Sequence, residues 1–141
     1  MYRKRLTQEY KNLLKTPVPC VLTHPDPKDI KTWYFVFYAL YDSPYEGGVY
    51  MGKFVFTERY PFYPPEVYVL TPNGRFHLNR KICTTFSSYH PEKWQSSWGV
   101  QTVALGLLSF WHEGGNGIGL IHTSEADKKK FASDSLKWNL K

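Results

Sequence analysis

The sequence predicts an α+β domain: one helix, then an antiparallel meander, then helices that close over it. Three observations predict it. Leu6, Tyr10, Leu13 and Leu14 recur at steps of four, three and one, the spacing of one helical face. The run from Trp33 to Tyr41 is rich in aromatic and β-branched residues and holds no breaker, the signature of a strand. Val100, Val103, Ala104, Leu107, Leu108 and Trp111 then return to helical spacing with a wide apolar face.

The elements follow in order. The first helix spans residues 3 to 15, with Arg3, Lys4, Arg5, Glu9 and Lys11 mostly off its apolar face, and Pro17 and Pro19 end it. A short strand runs from Cys20 to Thr23, and His24-Pro25-Asp26-Pro27 stops it. The Trp33 run is apolar on both faces and is therefore expected at the centre of the sheet. Asp42 to Gly48 is a turn, and Val49 to Phe56 is the next strand. The prolines of Tyr60-Pro61-Phe62-Tyr63-Pro64-Pro65 impose extended backbone before a fourth strand, Glu66 to Leu70. The helix that begins near Val100 packs on the sheet as the core, and glycines 114, 115, 117 and 119 end it. Ser124 and Asp127 have capping-box-like spacing. A last helix over Glu125 to Trp138 has Phe131, Ala132 and Ser135 on its buried side. Neither repeats nor linkers interrupt the chain, so residues 1–141 read as a single domain.

Composition excludes several classes. With 42% hydrophobic and 18% aromatic residues the chain is globular, not disordered. No apolar run reaches the length of a membrane span, and Met1-Tyr2-Arg3-Lys4-Arg5 does not open a secretory signal. Cys20 and Cys83 are too few for a disulfide framework and lie in no Cys-x-x-Cys pair, so neither structural disulfides nor zinc is expected. His24, His77, His112 and His122 form no metal-ligand pattern. The net charge of +6 suits nucleic acid in principle. The basic residues are nevertheless spread out, apart from Arg3-Lys4-Arg5 and Lys128-Lys129-Lys130, and a protein-docking face accounts for them better.

Chemistry concentrates in the irregular stretch from Thr71 to Trp94. Cys83 follows the basic pair Arg80-Lys81, and nearby positive charge favours the thiolate, the reactive form. A free cysteine is more often a small buried hydrophobe, and composition leaves both readings of Cys83 open. Asn73, between Pro72 and Gly74, is either a turn residue or an amide that stabilises an oxyanion in acyl transfer. His90 lies seven residues after Cys83 and is either a loop-packing histidine or a general base.

Taken together, Tyr45-Glu46-Gly47-Gly48-Val49-Tyr50, Tyr60-Pro61-Phe62-Tyr63-Pro64-Pro65-Glu66-Val67, Pro72-Asn73 and Ile82-Cys83 resemble, in order and interval, the catalytic domain of ubiquitin-conjugating enzymes. The resemblance covers nearly the whole chain and is clearest over residues 33 to 111. Within that family the chain is most similar to the J-type enzymes of endoplasmic-reticulum-associated degradation. It shares with them Thr71-Pro72-Asn73, a longer interval from Asn73 to Cys83, and His90-Pro91-Glu92-Lys93-Trp94.

The resemblance implies a ubiquitin-conjugating fold: an N-terminal helix, a four-stranded antiparallel meander, an active-site loop and C-terminal helices. Cys83 would accept ubiquitin as a thioester from the activating enzyme and pass it to a lysine amine or a hydroxyl of a protein substrate. Asn73 would stabilise the oxyanion or brace its loop. No metal or cofactor is implied, since ATP is used upstream by the activating enzyme. Arg3, Lys4 and Arg5 match the surface that meets the activating enzyme. Phe62 matches the residue that packs on RING-type ubiquitin ligases, and Ser96-Ser97 stand in the second ligase-contact loop. The implied location is the cytosol, either at the face of the endoplasmic reticulum through an anchor outside this segment or as a soluble relative, with no membrane contact from this segment itself.

Three departures from the family pattern stand out. Thr71 replaces a histidine, so the Asn73 loop must be braced differently. Ser96-Ser97 replace a common Pro-Ala. Glu113-Gly114-Gly115-Asn116-Gly117 replaces an acidic, proline-rich gate, a role His90 is expected to share. Rival readings are an inactive ubiquitin-binding variant domain, a conjugating enzyme for another ubiquitin-like modifier, a Cys83/His90 hydrolase, and a nucleic-acid module.

Overall fold

The computed structural model describes residues 1–38, 43–73, 78, 94–112 and 124–139. The elements are α1 (Tyr2–Lys15), β1 (Val21–Asp26), β2 (Asp29–Phe37), β3 (Tyr50–Val55), β4 (Glu66–Val69), α2 (Val100–His112) and α3 (Glu125–Asn139). The strands form an antiparallel meander in the order β1-β2-β3-β4. This is the α+β arrangement that the helical and strand periodicities predict. Among the described residues no helix is long and apolar enough to cross a membrane.

β2 is central, between β1 and β3, as its composition predicts, but only one of its faces is fully covered. Trp33, Phe35 and Phe37 alternate into the core with no exposed surface, whereas Tyr34 between them faces solvent. Antiparallel sheets tolerate one solvated face, and tyrosine suits it because its ring end carries a hydroxyl. The two ends of β2 receive different helices. Trp33 meets Tyr10 of α1 with ring centroids 5.9 Å apart, and Phe37 meets Trp111 of α2 at 5.3 Å. Trp111 also packs on Tyr50 of β3 at 5.0 Å and on Tyr45 at 6.0 Å. One indole thus joins α2, the sheet and the turn before β3.

Some boundaries differ from the sequence reading. β1 continues through His24 and Pro25 to Asp26, past the expected stop. It is an edge strand, where proline is tolerated, and the register shifts between Pro25 and Asp26. β2 starts at Asp29, where the Asp29 carboxylate accepts the Lys31 N–H at 3.0 Å. The expected continuation of that strand over residues 39–41 lies outside the described residues. Leu6 is fully buried, and Tyr10 and Leu13 pack against the core, but Leu14 is 65% exposed. One more residue of rotation carries Leu14 off the stripe. On α3, Ala132 and Ser135 are buried as expected, while Phe131 is only half-buried. The Ser124 hydroxyl caps that helix by accepting the Asp127 N–H at 3.1 Å.

Gly52 shows how tightly the sheet is filled. It pairs with Phe35 across β2 and β3, and a Cβ there would run into the Phe35 ring and the Tyr68 carbonyl. Replacing Gly52 by Ala therefore overpacks both neighbouring strands. The expected loss is about 1–3 kcal/mol in urea unfolding, with an unchanged m-value.

Candidate functional site

The corner after β4 is built from Thr71, Pro72 and Asn73. Thr71 has no exposed surface and Asn73 is 1% exposed. The Thr71 N–H and the Leu70 N–H both donate to the Met51 carbonyl, at 3.2 and 2.8 Å. The Thr71 hydroxyl accepts the Met51 N–H at 2.8 Å. β3 therefore holds the corner from both sides of Met51. The Asn73 side-chain amide turns back and donates to the Thr71 carbonyl at 2.9 Å, which folds the corner upon itself. A buried amide engaged in this way is rigid, because leaving it unpaired costs a full desolvation penalty. Leu78 returns alongside β4 through a single parallel bridge to Val69. Cys83 and His90 lie outside the described residues.

The second predicted cluster lies at the other end of β4. Phe62 follows a cis Tyr60-Pro61 bond and is 65% exposed. Ser96 and Ser97 are also exposed, in a turn closed by the Trp98 N–H on the Gln95 carbonyl at 2.9 Å. Trp94 joins these two loops. Its indole N–H donates to the Pro61 carbonyl at 2.8 Å, and its ring sits 6.3 Å from Tyr60 and 5.5 Å from Trp98. The structure thus brings Phe62 and Ser96-Ser97 onto one edge, whereas Asn73 belongs to a separate hydrogen-bonded corner.

Of the basic residues of α1, Arg3 and Lys4 are exposed. Arg5 turns inward instead. Its guanidinium donates to the Trp98 carbonyl at 3.0 Å and pairs with Glu9 at 3.2 Å. Glu9 in turn accepts the Val100 N–H at 2.7 Å and the Tyr60 hydroxyl at 2.5 Å. Val100 is the first residue of α2, and the residue before it, Gly99, has no side chain to cap the helix. Glu9 supplies that cap from another element, placing a carboxylate where the helix dipole and the orphan N–H groups favour one. Any Cβ at Gly99 would collide with the Glu9 carboxylate. Burial, then the charge and hydrogen bond of Glu9, push the Tyr60 hydroxyl well above its usual range, so it remains a donor.

Glu9, Tyr60 and Trp94 were not among the residues that sequence reasoning assigned to a site. Glu9 looks like one more solvated charge on α1, because its partners Tyr60 and Val100 lie 51 and 91 residues away. The spacing of Arg5 and Glu9 at i,i+4 is the only local signal that pairs them.

Comparison with known proteins gives these features a context. The family model described as "Ubiquitin-conjugating enzyme" matches residues 5–130. The chain is similar to "Ubiquitin-conjugating enzyme E2 J2" of Mus musculus, with 44% identity over 138 residues, 98% of this chain and 53% of that protein. It is also similar to "Probable ubiquitin-conjugating enzyme E2 33" of Arabidopsis thaliana, with 42% identity over 98% of this chain and 57% of that protein. The chain therefore spans about half the length of these relatives. Among solved structures, the ubiquitin conjugating enzyme E2 from Plasmodium falciparum has the same fold, with a TM-score of 0.68 and 24% identity. That match covers 79% of this chain and 99% of that one. Human "Ubiquitin-conjugating enzyme E2 G1" aligns with the same TM-score of 0.68, over 77% and 93% of the two chains.

The Glu9 cap is testable as a cycle. Glu9→Ala and Gly99→Ala each remove the carboxylate from the α2 N-terminus and are expected to cost about 1–3 kcal/mol in chemical denaturation. Because both act on the same contact, the double variant should lose clearly less than the sum.

Proposed function

Because the chain belongs to the ubiquitin-conjugating enzyme family, we propose that it carries ubiquitin as a thioester on Cys83 and transfers it to protein substrates. The observation that carries this reading is the family match over residues 5–130, which spans Asn73, Cys83 and His90. The activating enzyme forms the adenylate with ATP and hands over the ubiquitin acyl group, so this chain needs no metal or cofactor. The Cys83 thiolate attacks the incoming thioester carbonyl, and the donor cysteine leaves as a thiolate. A lysine amine, or a hydroxyl, then attacks the Cys83 thioester carbonyl and releases the Cys83 thiolate as the isopeptide or ester forms.

The remaining roles belong to the same proposal. Asn73 braces the loop against which the oxyanion develops, a reading supported by its amide bond to the Thr71 carbonyl. His90 takes the proton of the attacking nucleophile near neutral pH. Arg3 and Lys4 offer exposed positive charge to the activating enzyme, and Arg5 anchors that end of α1 to Trp98. Phe62 gives a RING-type ligase an exposed aromatic anchor, with Ser96 and Ser97 beside it. The similarity to J-type relatives supports a role in endoplasmic-reticulum-associated degradation, at the cytosolic face of that membrane.

A charging assay tests the central claim. The protein, with ubiquitin, activating enzyme and ATP, is expected to give an adduct that thiol reductant removes. Cys83→Ser should give either no adduct or a reductant-resistant ester. Charging only with another ubiquitin-like modifier would reassign the pathway, and no charging at all would make the chain a binding domain. His90→Ala should charge normally but discharge to free lysine at least tenfold more slowly at pH 7, and discharge at the normal rate would remove His90 from the mechanism.

A further inference from the structure

The C-terminal helix reaches the Asn73 corner directly. Ser135 and Asn139 lie four residues apart, on one face of α3. The Ser135 hydroxyl accepts the Val49 N–H at 2.8 Å and donates to the Ala132 carbonyl at 2.8 Å. The Asn139 amide donates to the Val49 carbonyl at 2.7 Å. Both polar groups of Val49 are thus held by α3. The Asn139 carbonyl oxygen accepts the Thr71 hydroxyl proton at 2.5 Å. The proton assignments are forced. Met51 donates its N–H to the Thr71 hydroxyl oxygen, so the hydroxyl proton goes to Asn139. The Val49 carbonyl can only accept, so the Asn139 nitrogen faces it.

These bonds form a continuous chain from α3 to Asn73. Asn139 holds the Thr71 hydroxyl, and the Thr71 carbonyl holds the Asn73 amide. We propose that Asn139 is a positioning residue for discharge of the thioester to its acceptor, and that α3 supplies the brace for the Thr71-Pro72-Asn73 corner. Neither Asn139 nor Ser135 touches the reacting atoms in this account. They fix the strand and the hydroxyl on which the corner rests. The inference builds on the conjugating reading of Asn73 and Cys83.

The test separates charging from discharge in the 141-residue chain. Asn139→Ala and Thr71→Val remove the link from its two ends. Each is expected to charge within about twofold of the parent and to discharge a preformed ubiquitin thioester to free lysine about tenfold more slowly. Thr71→Ser keeps the hydroxyl and should restore discharge, which simple loss of packing would not predict. Normal discharge in both Asn139→Ala and Thr71→Val, or equal slowing of charging and discharge, overturns the proposal. The second readout is independent of the chemistry. In nitrogen-15 NMR spectra, Asn139→Ala should shift the Asn73 side-chain amide signal and speed hydrogen exchange of the Met51 N–H. If both remain as in the parent, the brace is refuted even in a protein that charges normally. If the parent chain itself fails to charge, the conjugating reading fails, and the NMR comparison still decides whether the brace exists.

Discussion

The Glu9 carboxylate sits where three separate stretches of the chain must meet. It lies on α1, it ends the N-terminus of α2 through Val100, and it receives the hydroxyl of Tyr60 from the proline-rich loop. A helix end with a glycine at its cap position needs an acceptor from elsewhere, and a carboxylate is the strongest one available. Gly99 is a glycine because the space of its side chain is occupied by Glu9. The contact thus constrains both partners: the carboxylate needs the empty position, and the empty position needs the carboxylate. Arg5 completes it by neutralising Glu9 and gripping the Trp98 carbonyl.

The edge that carries Phe62 rests on this junction. Phe62 is exposed, but its neighbours Tyr60 and Pro61 are buried and tied to Glu9 and Trp94. An aromatic residue presented on a rigid base loses little conformational freedom when a partner covers it, which is how an exposed ring becomes an anchor. The same tryptophan positions the turn that carries Ser96 and Ser97. The Asn73 corner, at the far end of β4, depends on a different set of bonds, from Met51 and α3. The Phe62 edge and the Asn73 corner are therefore supported by distinct networks joined through the sheet.

Thr71 is held in the corner by a helix that the sheet brings close to it. A threonine hydroxyl reaches only one bond length from its own Cβ, so it must be met by a partner brought close to it. Asn139 meets it because Ser135, one helical turn earlier, has already docked α3 on Val49. The small side chain and the nearby helix are complementary, and Ser135 is buried although its residue type is usually exposed.

Local pattern alone determined a large part of this protein. The helical stripes of α1 and α2, the unbroken aromatic run of β2 and the Ser124 cap each lie within a few residues of sequence, so periodicity and turn chemistry exposed them. The ordered motifs from Tyr45 to Cys83 identified the family, and the resemblance nominated Asn73, Phe62 and the serine pair as candidates. Leu14 and the end of β1 departed from that reading because neighbours in space, not in sequence, set how far a stripe or a strand extends. Glu9, Trp94 and Asn139 were hidden for the same reason. As single residues they read as an ordinary surface charge, a motif aromatic and a helix-end amide. Only the tertiary structure decided that Glu9 caps α2, that Trp94 joins two loops, and that Asn139 reaches Thr71 across 68 residues of chain. Hydrogen bonds between distant segments leave no periodic trace in a sequence, because their geometry exists only after the hydrophobic core has brought the segments together.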